Sequence, residues 1–177
     1  MEDKNYKNNI IIVEATKDDA EGIIEYCKII GGETDNLSYG SEGIHQNLES
    51  EQKILDEFKN AENKVFFLAK QGDKIVGTAN FVGCTKKRMK HRGSIGISVL
   101  KSMWGKHIGT LLMEHICDYA RNIAKVDIIS LEVRSDNVRA IALYTKFGFK
   151  KIGTFNGFFK VNGEHIDFDL MNLKFND

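Results

Sequence analysis

Glu132 and Tyr144 stand twelve residues apart in the stretch LEVRSDNVRAIALYTKFGF, which runs from Leu131 to Phe149. A carboxylate and a phenol so close in sequence form a candidate proton-transfer pair. The carboxylate accepts a proton near neutral pH, and the phenol, with a reference pKa of about 10, holds one to give. Leu131 and Val133 flank Glu132, and strand alternation sends them to the opposite face. A carboxylate in an apolar strand is costly unless it is paired or used. Its structural alternative is a bond to Arg134 or to backbone at the sheet's end; that of Tyr144 is packing against Phe147. A second chemistry-bearing stretch is GSIGISVLKSMWGKHIGT, Gly93 to Thr110, where a strand enters a loop with Gly105 and Gly109 and a helix begins near Ile108. Small residues let backbone N–H groups approach a ligand, and a helix N-terminus adds partial positive charge, which together suit a pyrophosphate. The stretch has neither a Walker GK[ST] ending nor GxGxxG spacing.

The surrounding pattern supplies the elements that must position these groups. NIIIVEA (Asn9 to Ala15) reads as a strand, and Thr16 with Asp19 as a capping-box-like start to a helix whose apolar face is Ala20, Ile23, Ile24, Cys27 and Ile30. GGETDNLSYGSEG (Gly31 to Gly43) breaks that face, and a second helix covers about Leu48 to Asn60. VFFLAK and IVGTANFVG flank Gln71-Gly72-Asp73-Lys74 as a hairpin. After the GSIGISVL strand, apolar residues from Ile108 to Ile123 predict a longer helix. The strand IISLEV and a helix from Asn137 to Lys146 follow. Asn162-Gly163 then signals a type I′ hairpin, with Ile166, Phe168 and Leu170 alternating against His165, Asp167 and Asp169. The predicted order is β-α-α-β-β-β-α-β-α-β-β, a mixed sheet with helices on its faces.

The 177 residues suit one domain, and 25 Lys+Arg against 25 Asp+Glu give no net field toward nucleic acid or an anionic membrane. The basic run Lys86, Lys87, Arg88, Lys90 has no interleaved aromatics and reads as a solvated loop; a nucleic-acid reading of Lys86 to Arg92 would demand salt-sensitive oligonucleotide binding. No apolar run approaches the roughly 20 residues that span a bilayer, and MEDKNYKNN has no signal-peptide core. The expected location is cytoplasmic. Cys27, Cys84 and Cys117 are scattered and form no ligand cluster, so neither a disulfide framework nor a metal is expected.

Two signatures together resemble the GNAT family of N-acetyltransferases. N-x-x-A-x-x-L-Y-x-x-x-G-F is complete in Asn137, Ala140, Leu143, Tyr144, Gly148 and Phe149. Of [Q/R]-x-x-G-x-[G/A], often within R-G-x-G-x-G, Gly105, Gly109 and Thr110 agree, while Trp104 stands at the Arg/Gln position and His107 at the middle glycine. The resemblance covers about residues 75 to 174, and LEVR with its following LY and GF is most similar to the ribosomal-protein N-terminal branch. It implies an α/β (α+β) acyl-CoA N-acyltransferase fold over residues 1–177: a mixed, mostly antiparallel sheet of about seven strands, splayed between the fourth and fifth, with helices on both faces. It implies acetyl-CoA as acyl donor, its pantetheine arm against the backbone of Ile97 and Val99 and its pyrophosphate on the amides of Trp104, Gly105, Lys106, His107, Ile108, Gly109 and Thr110. Asn137 and Ala140 would lie near the pantetheine end. It further implies Tyr144 as the acid toward the leaving thiol, with Glu132 or a water as base, and no covalent enzyme intermediate. The acceptor would be a small-molecule amine or a peptide N-terminus, its site shaped by the first helices, GGETDNLSYGSEG and the last hairpin, and a homodimer is compatible with the family. Glu33, Asp35, Glu42, Asp167 and Asp169 would suit a cationic amine, or are ordinary solvent-face charges. The rival reading is a non-catalytic acyl-CoA-binding module on the same fold.

Overall fold

Strand alternation and the two hairpin signals organise one seven-stranded sheet in the computed structural model, which describes residues 9–175. The polar segment MEDKNYKN lies outside the described residues. The strands are β1 (Ile10–Glu14), β2 (Lys64–Gln71), β3 (Lys74–Gly83), β4 (Arg92–Val99), β5 (Ile128–Arg134), β6 (Lys150–Val161) and β7 (Glu164–Lys174). They lie in the order β1-β2-β3-β4-β5-β7-β6. Every neighbouring pair is antiparallel except β4 and β5. Asn162 and Gly163 both take positive φ, 51° and 89°, as the β6–β7 turn requires.

Four α-helices complete the order read from the sequence: α1 (Ala20–Glu33), α2 (Leu48–Asn60), α3 (Ile108–Asp118) and α4 (Val138–Lys146). Thr16 N–H donates to the Asp19 carboxylate at 2.9 Å, and a 3-10 turn at Lys17–Asp19 leads into α1. Two helix ends differ from the sequence pattern. α1 continues through Gly31 and Gly32 to Glu33, where a side chain at Gly31 would overlap the Gly40 carbonyl; the glycine admits the next loop rather than ending the helix. The α3 pattern changes to a π turn at Tyr119–Ile123. There the Tyr119 hydroxyl donates to the carbonyls of Lys64 (2.8 Å) and Glu62 (3.1 Å), anchoring the turn to β2.

Cross-strand register sorts the side chains to two faces. Tyr26 of α1 reaches Ser98 on β4, and Phe58 of α2 packs Phe66 on β2, so α1 and α2 cover the front. On the back, a Cβ at Gly77 would touch Ile108 and Leu112 of α3, and one at Gly109 of α3 would touch Leu143 of α4. The core between sheet and α3 is filled by Phe81, Leu112, Met113, Ile116 and Ile129, all fully buried.

The sheet opens between β4 and β5. They pair over only three residues, Arg92–Ser94 with Ile128–Ser130, and then separate. β5 keeps its full length against β7. β4 keeps its full length against β3, with Cys84 N–H to Arg92 C=O at one end and Leu100 N–H to Val76 C=O at the other. Those two bonds fix the ladder's phase. Even-numbered residues of β4 bond to β3, so beyond the paired stretch the backbone groups of Ile97 and Val99 face the opening.

Candidate active site

A cavity of about 300 Å³ fills the opening. Its back wall is Ile108, Gly109 and Thr110 of α3 with Asn137, Ala140, Leu143 and Tyr144 of α4 or its cap. Ile97 and Val99 form the β4 side, and Ile30, Thr34, Asn36 and Leu37 close the front. The space therefore passes through the sheet. Ile97 presents an N–H and a C=O to it, and Val99 an N–H, like the free edge of a strand awaiting a partner. The Val99 carbonyl is taken, because the Trp104 indole N–H donates to it at 3.0 Å.

The loop before α3 is a second docking surface. Trp104 N–H closes a turn on the Lys101 carbonyl at 3.2 Å, and Leu111 N–H bonds to the His107 carbonyl at 3.1 Å. Between them, the amides of residues 105 to 110 have no hydrogen-bond partner among the described residues. Gly105 (φ +79°) and His107 (φ +63°) both adopt left-handed backbone around Lys106. Such alternation turns successive amides inward, and the free N-terminus of α3 continues the array, an arrangement that offers hydrogen-bond donors to an anion. His107 thus takes the conformation that glycine adopts more cheaply. The Trp104 amide belongs to the turn instead of the cradle, and its side chain lies under the Arg139 guanidinium, 4.5 Å from the ring centre. Lys106 contributes no wall to the cavity; its ammonium contacts the Met103 sulfur.

Tyr144 is buried, packs its ring on Phe149, and lines the cavity. Its hydroxyl has no hydrogen-bond partner among the described residues, and burial pushes its pKa up, so the phenol keeps its proton throughout the neutral range. Asn137 spends its side-chain carbonyl capping α4, accepting from Ala140 N–H at 3.2 Å, which leaves its amide N–H groups free for the cavity. Glu132 lies elsewhere. It projects from the front of β5, exposed, opposite the buried Leu131 and Val133 and outside the cavity lining. The sheet's opening explains the exposure, since beyond Ser130 no strand covers that side of β5.

Sequence reasoning missed one polar group. Thr34, Asn36 and Leu37 belong to Gly31–Gly43, the segment expected to help shape the acceptor site, though none of the three is singled out by the pattern. Tyr26 reads as one more residue of α1, yet its hydroxyl meets Ser98 at 2.9 Å, and Ser98 meets Thr78 at 3.0 Å, placing a hydroxyl chain at the cavity wall. The acidic set is largely committed to structure. Glu33 accepts from Lys101 N–H, Glu42 from Gly40 N–H, and Asp167 from Gly157 N–H. Asp169 is buried, bonded to Ser135 and Thr154 and paired with Lys151 at 2.7 Å.

Comparison with known proteins places this geometry. Residues 35–149 match the model described as the acetyltransferase (GNAT) family. The N-alpha-acetyltransferase RimI of Mycobacterium tuberculosis is 32% identical over 97 residues, 54% of this chain and 58% of that protein. The chain spans 51% to 63% of the length of the first curated relatives it matches. A GNAT-family acetyltransferase structure from Streptococcus pneumoniae superposes with a TM-score of 0.90 at 28% identity, covering 94% of this chain and 99% of that one. A Salmonella typhimurium structure containing its cofactor acetyl-CoA shares the fold, with a TM-score of 0.82 at 17% identity and 96% of each chain covered.

Proposed function

The chain belongs to the acetyltransferase (GNAT) family, and from that membership we propose that it moves the acetyl group of acetyl-CoA directly to a primary amine, within one acetyltransferase domain. One observation carries the reading: the unpaired edge of β4, the free amides of Gly105 and of residues 107–110 and the unpartnered Tyr144 hydroxyl converge on one cavity. Ile97 and Val99 would hold the amide groups of a pantetheine arm as a neighbouring strand does, and the 105–110 amides its pyrophosphate. Acetyl-CoA supplies the activated acetyl thioester. The relatives' names include an N-alpha-acetyltransferase and an L-amino acid N-acetyltransferase, which fits an amine acceptor.

This chain's residues then manage two protons. The acceptor ammonium loses one, to Glu132 or to a water, before its nitrogen can attack. Tyr144 Oη would protonate the sulfur as the C–S bond breaks, and would regain a proton, through solvent, from the nitrogen, which must shed a second one once the C–N bond has formed. Burial holds Tyr144 in its acid form for that step. The Ser98 hydroxyl, on the cavity wall and held by Tyr26, would orient a relaying water on the front side. The exposed position of Glu132 outside the cavity wall favours, as a second reading, a module that binds an acyl-CoA without turnover.

Titration calorimetry with acetyl-CoA, followed by thiol release against a panel of amines and N-terminal peptides, tests both. Binding with turnover supports the transferase, binding without turnover across the panel supports the module, and no binding removes both.

A further inference from the structure

On the front of the sheet, register sets three residues in one row: Glu132 on β5, Leu170 on β7 and Gly153 on β6. The next row is Arg134, Phe168 and Phe155. Neighbouring strands lie about 4.8 Å apart, so each row spans roughly 10 Å, and the two rows lie roughly 7 Å apart along the strands. The first row is low. Gly153 has no side chain, and a Cβ there would meet nothing within 4 Å. The second row is tall and aromatic. A β6 bulge between Phe155 and Phe159 brings Phe158 over Phe168, with ring centres 4.7 Å apart, and Phe158 meets Phe155 at 5.1 Å. Phe168 is only 3% exposed beneath them, whereas Phe155 is 52% and Phe158 37% exposed. The result is a trough with an apolar floor, an aromatic wall and a carboxylate at one end.

Charge completes the picture. Glu132 has no ion-pair or hydrogen-bond partner among the described residues. Arg134 is held by Asp136 through two bonds, 2.7 and 2.9 Å, so its charge is answered locally. The trough lies on the same side of the sheet as Thr34, Asn36 and Leu37, the front wall of the cavity. The other acidic side chains that would hold a polycation are mostly bonded within the protein.

We infer that the acceptor is a small primary amine carrying one aromatic or similarly large apolar group, its ammonium at Glu132 and its ring against Phe155 and Phe158. This rests on the acetyl-transfer reading and adds the substrate class. A flat apolar body covers exposed phenylalanine and gains from edge or offset ring contact, while one ammonium matches one free carboxylate.

The test compares 2-phenylethylamine, ethanolamine and spermidine as acceptors by thiol release, and titrates 2-phenylethylamine calorimetrically into protein saturated with coenzyme A, where no turnover occurs. The expected kcat/KM for 2-phenylethylamine is about tenfold or more above both others. Phe155→Ala and Phe158→Ala should each raise its KM and its Kd several-fold and leave ethanolamine unchanged. Gly153→Leu, whose Cβ would meet nothing within 4 Å, should fill the trough and do the same without loss of thermal stability. Spermidine or ethanolamine turned over as well as the aromatic amine, or indifference to all three substitutions, overturns the substrate class and leaves acetyl transfer standing. A protein that binds acetyl-CoA and acetylates none of the three amines or any panel peptide overturns both.

Discussion

At the scale of single residues, Tyr144 and His107 make opposite demands. Tyr144 needs only its hydroxyl, because its ring packing on Phe149 survives replacement by phenylalanine. Tyr144→Phe should therefore lower kcat by about 10² to 10⁴ and leave acetyl-CoA affinity nearly unchanged, which steady-state kinetics and calorimetry will separate. Normal turnover would remove Tyr144 as the acid. His107 needs only its backbone. Left-handed φ costs an L-residue roughly 1–2 kcal/mol, and glycine returns roughly 0.5–1 kcal/mol of that as unfolded-state entropy. His107→Gly should keep acetyl-CoA binding and shift unfolding stability by no more than about 1.5 kcal/mol. His107→Val should weaken binding at least tenfold, because a β-branched residue tolerates positive φ poorly. The catalytic candidates were legible in sequence because motif spacing names residues. Their surroundings were not: nothing in LEVR tells that Glu132 emerges where β4 has already departed, and the use of the Trp104 amide in a turn is a matter of dihedral angles.

Elements rather than residues set the width of the cavity. Gly109 acts through the packing of α3 on α4, since its Cβ would lie 3.1 Å from a Leu143 methyl. Gly109→Val should push the helices apart and weaken acetyl-CoA binding about tenfold, and Leu143→Ala in the same chain should recover part of the loss. A double-mutant cycle measured by calorimetry shows which; full additivity would mean that the two helices do not compete for that space. A second clamp fixes β6 to β7 and to the end of β5. Lys151, with Ser135 and Thr154, holds the Asp169 carboxyl below its ordinary range. Its folded pKa thus lies under the unfolded value of about 3.9, so its contribution is complete above that value and disappears as pH falls through the folded pKa. Asp169→Asn should cost about 1–3 kcal/mol between pH 5 and 8, and the difference from wild type should shrink below about pH 4 in urea melts. Alternation in sequence placed Asp169 on a solvent face. It is buried because β6 bulges and brings Thr154 and Lys151 beside it, and bulges leave little trace in hydrophobic pattern.

For the molecule as a whole, most of the fold was legible: the order of strands and helices follows from periodicity and from turns such as Asn162-Gly163, because each is a local preference. Sheet order and the opening at β4 and β5 are not local, and only the resemblance announced them. The two halves of the sheet meet through three paired residues, so a ligand bridging them should stabilise the whole chain. Acetyl-CoA at 100 times its Kd contributes about 2.7 kcal/mol by mass action, which for a domain of this size should raise Tm by roughly 5–10 °C. No shift in a thermal melt would mean no binding to the folded state. The unpaired edge of β4 also acts as a gauge of thickness. A bare strand edge on a surface invites any other chain to pair with it. Here it is recessed between α3 and α4 behind and the 34–37 segment in front, so a folded neighbour with side chains on both faces is too thick to reach it. Only a slender arm fits. The same geometry that leaves hydrogen-bonding groups open to the proposed pantetheine arm keeps them from other proteins.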